Sequence, residues 1–132
     1  GTSRFARDAW LDGYESMMAA DFCSGVVETL QSESPGVRYM AADVTDLPGV
    51  ASGSLGGAFD KGTLDGLFGE FSREDVSRAQ SAVSTIQRVL RPGCFWVSVS
   101  VSDPDRFKEC VLSARSGGLQ LERTSSLPVD LA

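Results

Sequence analysis

The sequence predicts an α/β domain with a mostly parallel sheet and helices on both of its faces. Three observations carry that expectation. Strand-like and helix-like periods of apolar residues alternate along the chain. Turn chemistry separates them, as at Ser34-Pro35-Gly36 and Arg91-Pro92-Gly93. The strand-like runs finish on acidic residues, at Asp21, Asp43 and Asp60. Alternation of this kind implies parallel strands, because two parallel neighbours need a crossover connection, usually a helix. The 132 residues match one domain and suffice for one core.

Residues 2–11 read as a short helix with Phe5, Ala9 and Trp10 inward, and residues 17–21 (MMAAD) as a short buried strand. Residues 25–31 read as a helix, apolar at Val26, Val27 and Leu30, and residues 37–43 (VRYMAAD) as a second strand. Residues 47–57 are rich in Pro, Gly and Ser and predict a loop. Residues 55–60 form a weaker strand candidate, since two glycines lower its β-propensity. Residues 63–70 read as a loop or a helical turn. The clearest helix spans residues 72–90: Val76, Ala79, Val83, Ile86 and Leu90 recur at helical spacing, Ser72 can cap it, and Glu74 and Asp75 suit its first turn. Residues 94–101 (CFWVSVSV) are the strongest strand pattern. Asp103 as cap and Pro104 at the first position open a helix over residues 103–115. Residues 118–124 predict a last strand.

Composition removes several chemistries. The chain has no histidine, which excludes His-based triads and imidazole acid–base work. Its three cysteines are odd in number and lack CxxC spacing, which argues against a disulfide framework or a Cys-only zinc site and for a reducing compartment. Cys23 has no histidine to activate it as a nucleophile. No metal is expected. The net charge of −6, from 18 acidic and 12 basic residues, supplies no phosphate-neutralising stripe, so no nucleic acid partner is expected, while a basic protein substrate would be attracted. No signal peptide and no apolar run of membrane-spanning length is found, which predicts no membrane association and a cytoplasmic protein, with mitochondria as the alternative.

In open parallel sheets, ligands bind outside the carboxyl ends of the strands. Asp alone is common there as a cap or turn residue. Three such residues, about twenty apart, point to a nucleotide-like ligand, because an acid about twenty residues beyond a glycine loop accepts both ribose hydroxyls. Asp21 stands in that relation to Gly1. Asp43 is placed for an adenine amino group, and Asp60 faces the reacting centre.

Asp60-Lys61-Gly62-Thr63-Leu64-Asp65 (DKGTLD) resembles the post-strand signature of the methyltransferase-like lysine methyltransferases, a group that includes enzymes acting on elongation factor 1-alpha and on citrate synthase. Gly1-Thr2-Ser3 resembles the tail of that group's glycine loop, Ala20-Asp21-Phe22-Cys23-Ser24 its ribose segment, and Ala42-Asp43-Val44-Thr45-Asp46-Leu47 its adenine segment. Val89-Leu90-Arg91-Pro92-Gly93 is similar to the helix-to-strand turn of class I methyltransferases, with Cys94 where a second glycine is usual. The resemblance covers roughly residues 1–115. It implies a seven-stranded Rossmann-like class I methyltransferase fold, S-adenosylmethionine as cofactor, and a protein lysine as acceptor, on a translation factor or a metabolic enzyme. By this carry-over Gly1 contacts the methionine part of the cofactor, Asp21 with Phe22 the ribose, and Asp43 with Val44 the adenine. Asp60 and Lys61 line the site near the transferred methyl, Asp60 also being suited to cap the turn at 62–64 and Lys61 to form an ion pair. Phe59, Leu64, Leu67 and Phe68 suit either a pocket wall or the core, and Trp10 and Trp96 the core. The resemblance further implies that the family's first strand and first loop glycines precede Gly1. A sheet lacking that central strand would split into two pieces. Two other readings stay open on the sequence: a non-catalytic methyltransferase-like domain acting as an interaction module, and a nucleotide-binding Rossmann oxidoreductase.

Overall fold

A computed structural model describes residues 3–113, together with Gln120 and Ser125. Five helices and four strands form among them: α1 (Phe5–Leu11), β1 (Met18–Asp21), α2 (Ser24–Glu33), β2 (Arg38–Ala41), β3 (Ala58–Lys61), α3 (Thr63–Phe68), α4 (Arg73–Val89), β4 (Trp96–Val99) and α5 (Pro104–Leu112). The architecture is mixed α/β with parallel pairing, as expected. The described strands form two separate pairs, β1 with β2 and β3 with β4.

In the first pair Asp21 lies opposite Ala41. The crossover helix α2 is tied to β2 by Gln31, whose amide donates to the Val37 carbonyl at 3.1 Å and accepts the Tyr39 N–H at 3.1 Å. In the second pair Asp60 lies opposite Ser98. The crossover there runs through α3 and α4. The short helix α1 buries no residue and is held by aromatic contacts instead. Phe5 stacks on Phe59 of β3 with ring centroids 3.9 Å apart. Trp10 lies so close over Gly36 that a Cβ there would come within 2.1 Å of its ring, so only glycine fits that turn.

Helix α4 joins the two pairs. Its start is fixed by a capping box: Asp75 N–H donates to the Ser72 hydroxyl, and Ser72 N–H donates to the Asp75 carboxylate, both at 3.1 Å. Ala79, Ala82 and Val83 are buried with Leu64 and Phe68 of α3. Nearly two turns further on, Val89 is buried with Leu47 and Val50, against Met18 and Met40 of the first pair. Polar contacts follow the same line. The Thr85 hydroxyl donates to the Thr45 carbonyl at 2.7 Å, and the Arg88 guanidinium donates to the carbonyls of Val50 and Asp46, each at 2.7 Å. These bonds satisfy carbonyls in the loop after β2 that no ladder reaches.

Several boundaries differ from the sequence reading. β2 stops at Ala41 because Asp43 folds back on its own loop: its side chain accepts the Thr45 N–H at 2.9 Å. β4 covers four residues rather than eight, since β3 offers a ladder of only four. Leu55 makes an isolated bridge to Leu90, and the ladder begins at Ala58. Of the loop or helical turn expected at residues 63–70, the helical one forms, over Thr63–Phe68, entered through Gly62 at φ 73°, a left-handed conformation that glycine adopts without strain. Asp103 and Pro104 open α5 as expected, with the Asp103 carboxylate accepting the Arg106 N–H. The last strand expected at 118–124 lies outside the described residues. No helix among the described residues is long and apolar enough to cross a membrane.

Candidate functional site

The acidic residues sit at the carboxyl ends of the strands, in two groups of different character. At the first pair, Asp21 is the last residue of β1. One of its carboxylate oxygens accepts the Cys23 N–H at 2.9 Å, which orients the group at the turn into α2. Phe22 beside it is 86% exposed. Asp43 stands two residues past the end of β2 and is exposed. Its carboxyl is held below the ordinary 3.8, first by the backbone N–H of Thr45 and then by the Thr45 hydroxyl. Because Asp21 pairs with Ala41, Asp21 and Asp43 occupy neighbouring tips. Val44 turns the other way and packs against the α3–α4 cluster around Leu64 and Phe68.

At the second pair the chemistry is denser. Asp60 is half-buried, with one oxygen accepting the Thr63 N–H at 3.2 Å and the other accepting the Trp96 indole N–H at 3.2 Å. Burial pushes this carboxyl above 3.8, against the pull of the donors around it, Ser98 foremost. The Ser98 hydroxyl is itself buried without completing a hydrogen bond among the described residues. It acts on Asp60 as a nearby dipole. Trp96 is therefore more than a core residue, since its indole orients a carboxyl. The Thr63 contact also makes Asp60 the cap of the turn into α3. Lys61, next along β3, faces the opposite side by strand alternation, is exposed, and forms no ion pair among the described residues. Gly1 lies outside the described residues.

The aromatic and aliphatic candidates divide. Leu64 and Phe68 are fully buried core, and Leu67 packs against them. Phe59 is 39% exposed and carries the α1 contact. Cys23 is exposed, Cys94 and Cys110 are half-buried, and all three are free. No group of three or more metal-ligating side chains is gathered among the described residues.

Asp65 was assigned no role on the sequence, yet it is the most connected carboxylate here. One of its oxygens accepts the Ser100 hydroxyl at 2.5 Å, the Ser102 hydroxyl at 2.6 Å and the Ser102 N–H at 3.2 Å. The other faces the Val101 N–H at 3.4 Å. Burial pushes its carboxyl up, but these donors outweigh burial and leave it below 3.8. The signal in the sequence was the row Ser98, Ser100, Ser102: hydroxyls at period two leaving a strand need an acceptor on one side.

A cavity of about 530 Å³ lies elsewhere, lined by Met17, Met18, Arg38, Val50 and Leu55. These residues stand at the amino ends of the strands, and none of the four carboxylates lines it. In sheets of this kind ligands bind at the carboxyl tips.

Comparison with known proteins bears on which chemistry the tips serve. No protein-family model matches the chain. It is 29% identical over 113 residues to the EEF1A lysine methyltransferase 4 of Mus musculus, covering 79% of this chain and 44% of that protein. It is 30% identical over 104 residues to a demethylmenaquinone methyltransferase of Beutenbergia cavernae, covering 79% of this chain and 39% of that protein. The chain thus spans less than half the length of these relatives. Their names give different acceptors, so what they share is methyl transfer. The mixed α/β architecture with parallel strands is that of a Rossmann-like methyltransferase fold, and the similarity of the chain is to the methyltransferase superfamily.

Proposed function

We propose that this chain belongs to an S-adenosylmethionine-dependent methyltransferase whose acceptor is a lysine amine of a protein. The observation that carries the reading is the Asp60 carboxyl: half-buried at a strand tip, held by Thr63 and Trp96, and raised in pKa by burial.

The residues present fit an adenosyl group. Asp21 and Asp43 on neighbouring tips are acceptors suited to ribose hydroxyls and an amino group, each already oriented by a backbone N–H of its own loop. Phe22 offers an exposed apolar ring beside Asp21. When bound, the cofactor supplies an electrophilic methyl on a positive sulfonium. What remains for the protein is alignment at about 3 Å and handling of the amine proton. A free lysine has a pKa of about 10.4, so presenting it uncharged at neutral pH costs roughly 4–5 kcal/mol. Asp60 attracts the ammonium, orients it, and receives its proton directly or through one water. A carboxyl with a raised pKa is a better proton acceptor than an exposed one. Lys61 has no part in proton transfer in this scheme.

The lysine acceptor draws support from DKGTLD and from the mouse relative. A protein of cytoplasmic location, with a translation factor as acceptor, is the form of this reading to test first. The full-length protein is incubated with tritiated S-adenosylmethionine and, in separate reactions, with elongation factor 1-alpha and with demethylmenaquinone. Label on the protein acceptor, lost when the labelled lysine is changed to arginine, is the expected result. Label on the quinone alone overturns the lysine assignment. Label on neither, with nicotinamide dinucleotide bound in place of S-adenosylhomocysteine, overturns methyl transfer.

A further inference from the structure

Ser98 stands where a strand ordinarily carries an apolar side chain. The half-buried positions of β4 are Trp96 and Ser98, and the exposed ones are Val97 and Val99. The usual alternation is inverted there, with a polar group turned inward and two valines facing out. Burying a hydroxyl is costly unless a partner compensates it, and the Ser98 Oγ completes no hydrogen bond among the described residues. The group it faces is Asp60. The two are register partners on adjacent strands, so their side chains leave the same face of the pair. The other groups that meet this carboxyl are the backbone N–H groups of Thr63 and Leu64 and the indole N–H of Trp96. All three donate and cannot accept, so they suit an ionised Asp60. A protonated Asp60 carries an O–H that needs an acceptor. Of the four groups on the carboxyl, the Ser98 hydroxyl is the one with lone pairs to offer.

We propose that Ser98 is a positioning residue for Asp60: its hydroxyl donates to the carboxylate, and turns to accept from the carboxyl once Asp60 has taken the proton of the acceptor amine. This deepens the methyl-transfer reading and rests on it. In the step an N–H bond of the ammonium breaks and an O–H bond on Asp60 forms, and the proton passes to water when the product leaves. Ser98 keeps its own proton throughout, because a hydroxyl has two lone pairs besides its hydrogen and rotates to suit its partner. Among the described residues no charged group enters the balance at Asp60, which burial and hydrogen bonds set. On α3, Asp65 is taken by Ser100 and Ser102. On α4, Asp75 is bound in its cap and Arg88 by loop carbonyls, while Arg73, Glu74 and Arg78 are exposed. On α5, Arg106 lies over the Phe71 ring, Lys108 pairs with Asp105, Glu109 is exposed, and burial pushes the Cys110 thiol up, which keeps it neutral.

The test compares wild type, Ser98→Ala and Ser98→Thr in the full-length protein. The alanine removes one oxygen and little volume, and the threonine keeps the hydroxyl. The Asp60 titration, followed by carboxyl carbon NMR, is read together with the pH profile of kcat on the acceptor labelled in the assay above. Losing Ser98 takes a charge-assisted bond from the ionised form and a weaker neutral one from the protonated form. In Ser98→Ala the Asp60 titration and the acid limb of kcat are therefore expected to move together to higher pH, by about half a unit or more. The plateau kcat should fall about tenfold, with acceptor KM and S-adenosylhomocysteine affinity within about twofold. Ser98→Thr should restore both the limb and the plateau. An Asp60 titration that Ser98→Ala leaves in place overturns the pairing. A moved titration with an unmoved acid limb and plateau overturns the role in proton uptake while leaving methyl transfer standing. A lowered plateau with the limb in place assigns Ser98 to packing and also overturns that role. A wild-type protein that labels no acceptor overturns the methyl-transfer reading and this role with it.

Discussion

The two strand pairs solve the same problem, a carboxylate at a parallel tip, in opposite ways. At the β1–β2 tip, Asp21 and Asp43 take N–H groups two residues along their own chain. These N–H groups orient both carboxylates from within their own loops. At the β3–β4 tip, Asp60 and Asp65 take donors from across the fold, the indole of Trp96 and the hydroxyls of Ser100 and Ser102. Local satisfaction leaves a group ready for a ligand that comes and goes. Cross-strand satisfaction builds a corner whose geometry is set before any ligand arrives, which is what a reacting centre needs. In the proposed function the first tip holds the cofactor and the second hosts the reaction.

The largest way to break the contrast is to remove the support under the reacting tip. Phe68 is 1% exposed, stacked on Phe71 at 5.1 Å and edge-on to Phe107 at 5.6 Å between ring centroids. Phe68→Ala should cost about 3–5 kcal/mol in urea unfolding. Next is the link between the tips. Arg88→Met keeps most of the stem's packing but leaves the Val50 and Asp46 carbonyls unpaired, and should cost about 1.5–3 kcal/mol by the same measurement. Ser72→Ala removes the cap of α4, touches neither tip, and should cost only about 1 kcal/mol.

A smaller effect separates Asp60 from the other tip carboxylates by sign. Asp43 and Asp65 have folded pKa values below the ordinary 3.8. The stability they contribute is complete above 3.8 and is lost as pH falls through their folded values. Asp60 has a folded pKa above 3.8, so the native state binds its proton more tightly and ionisation destabilises the fold. Its contribution therefore rises as pH falls from neutral through the folded value. Replacing Asp60 by Asn should flatten the unfolding free energy between pH 7 and pH 4 relative to wild type, whereas Asp43→Asn should leave that window unchanged and alter the profile below it. A profile in which both replacements act in the same window would show that Asp60 and Asp43 are not in distinct environments.

What the sequence disclosed followed from local rules. The apolar period of α4, its Ser72 cap, and Asp103-Pro104 at the start of α5 depend on near neighbours and are readable one segment at a time. The placement of strands was legible from runs such as WVSV, but their lengths were not, because a ladder extends only as far as its partner. β4 looked longer than the four residues β3 could pair. Asp43 looked like a strand end, and the competing pull of its side chain on Thr45 moved that end to Ala41. Asp60 was found as a tip residue, while its indole partner was assigned to the core. Asp65 was missed as a hub because its partners are 35 or more residues away, where spacing carries no information.

The central claim is that the β1–β2 tip holds an adenosyl group through Asp21. Isothermal titration of the full-length protein with S-adenosylhomocysteine, wild type against Asp21→Ala, measures it directly. The account predicts saturable binding by wild type and a loss of about a hundredfold or more in the variant, with unfolding free energy within about 1 kcal/mol. Equal affinity in the two proteins would contradict it.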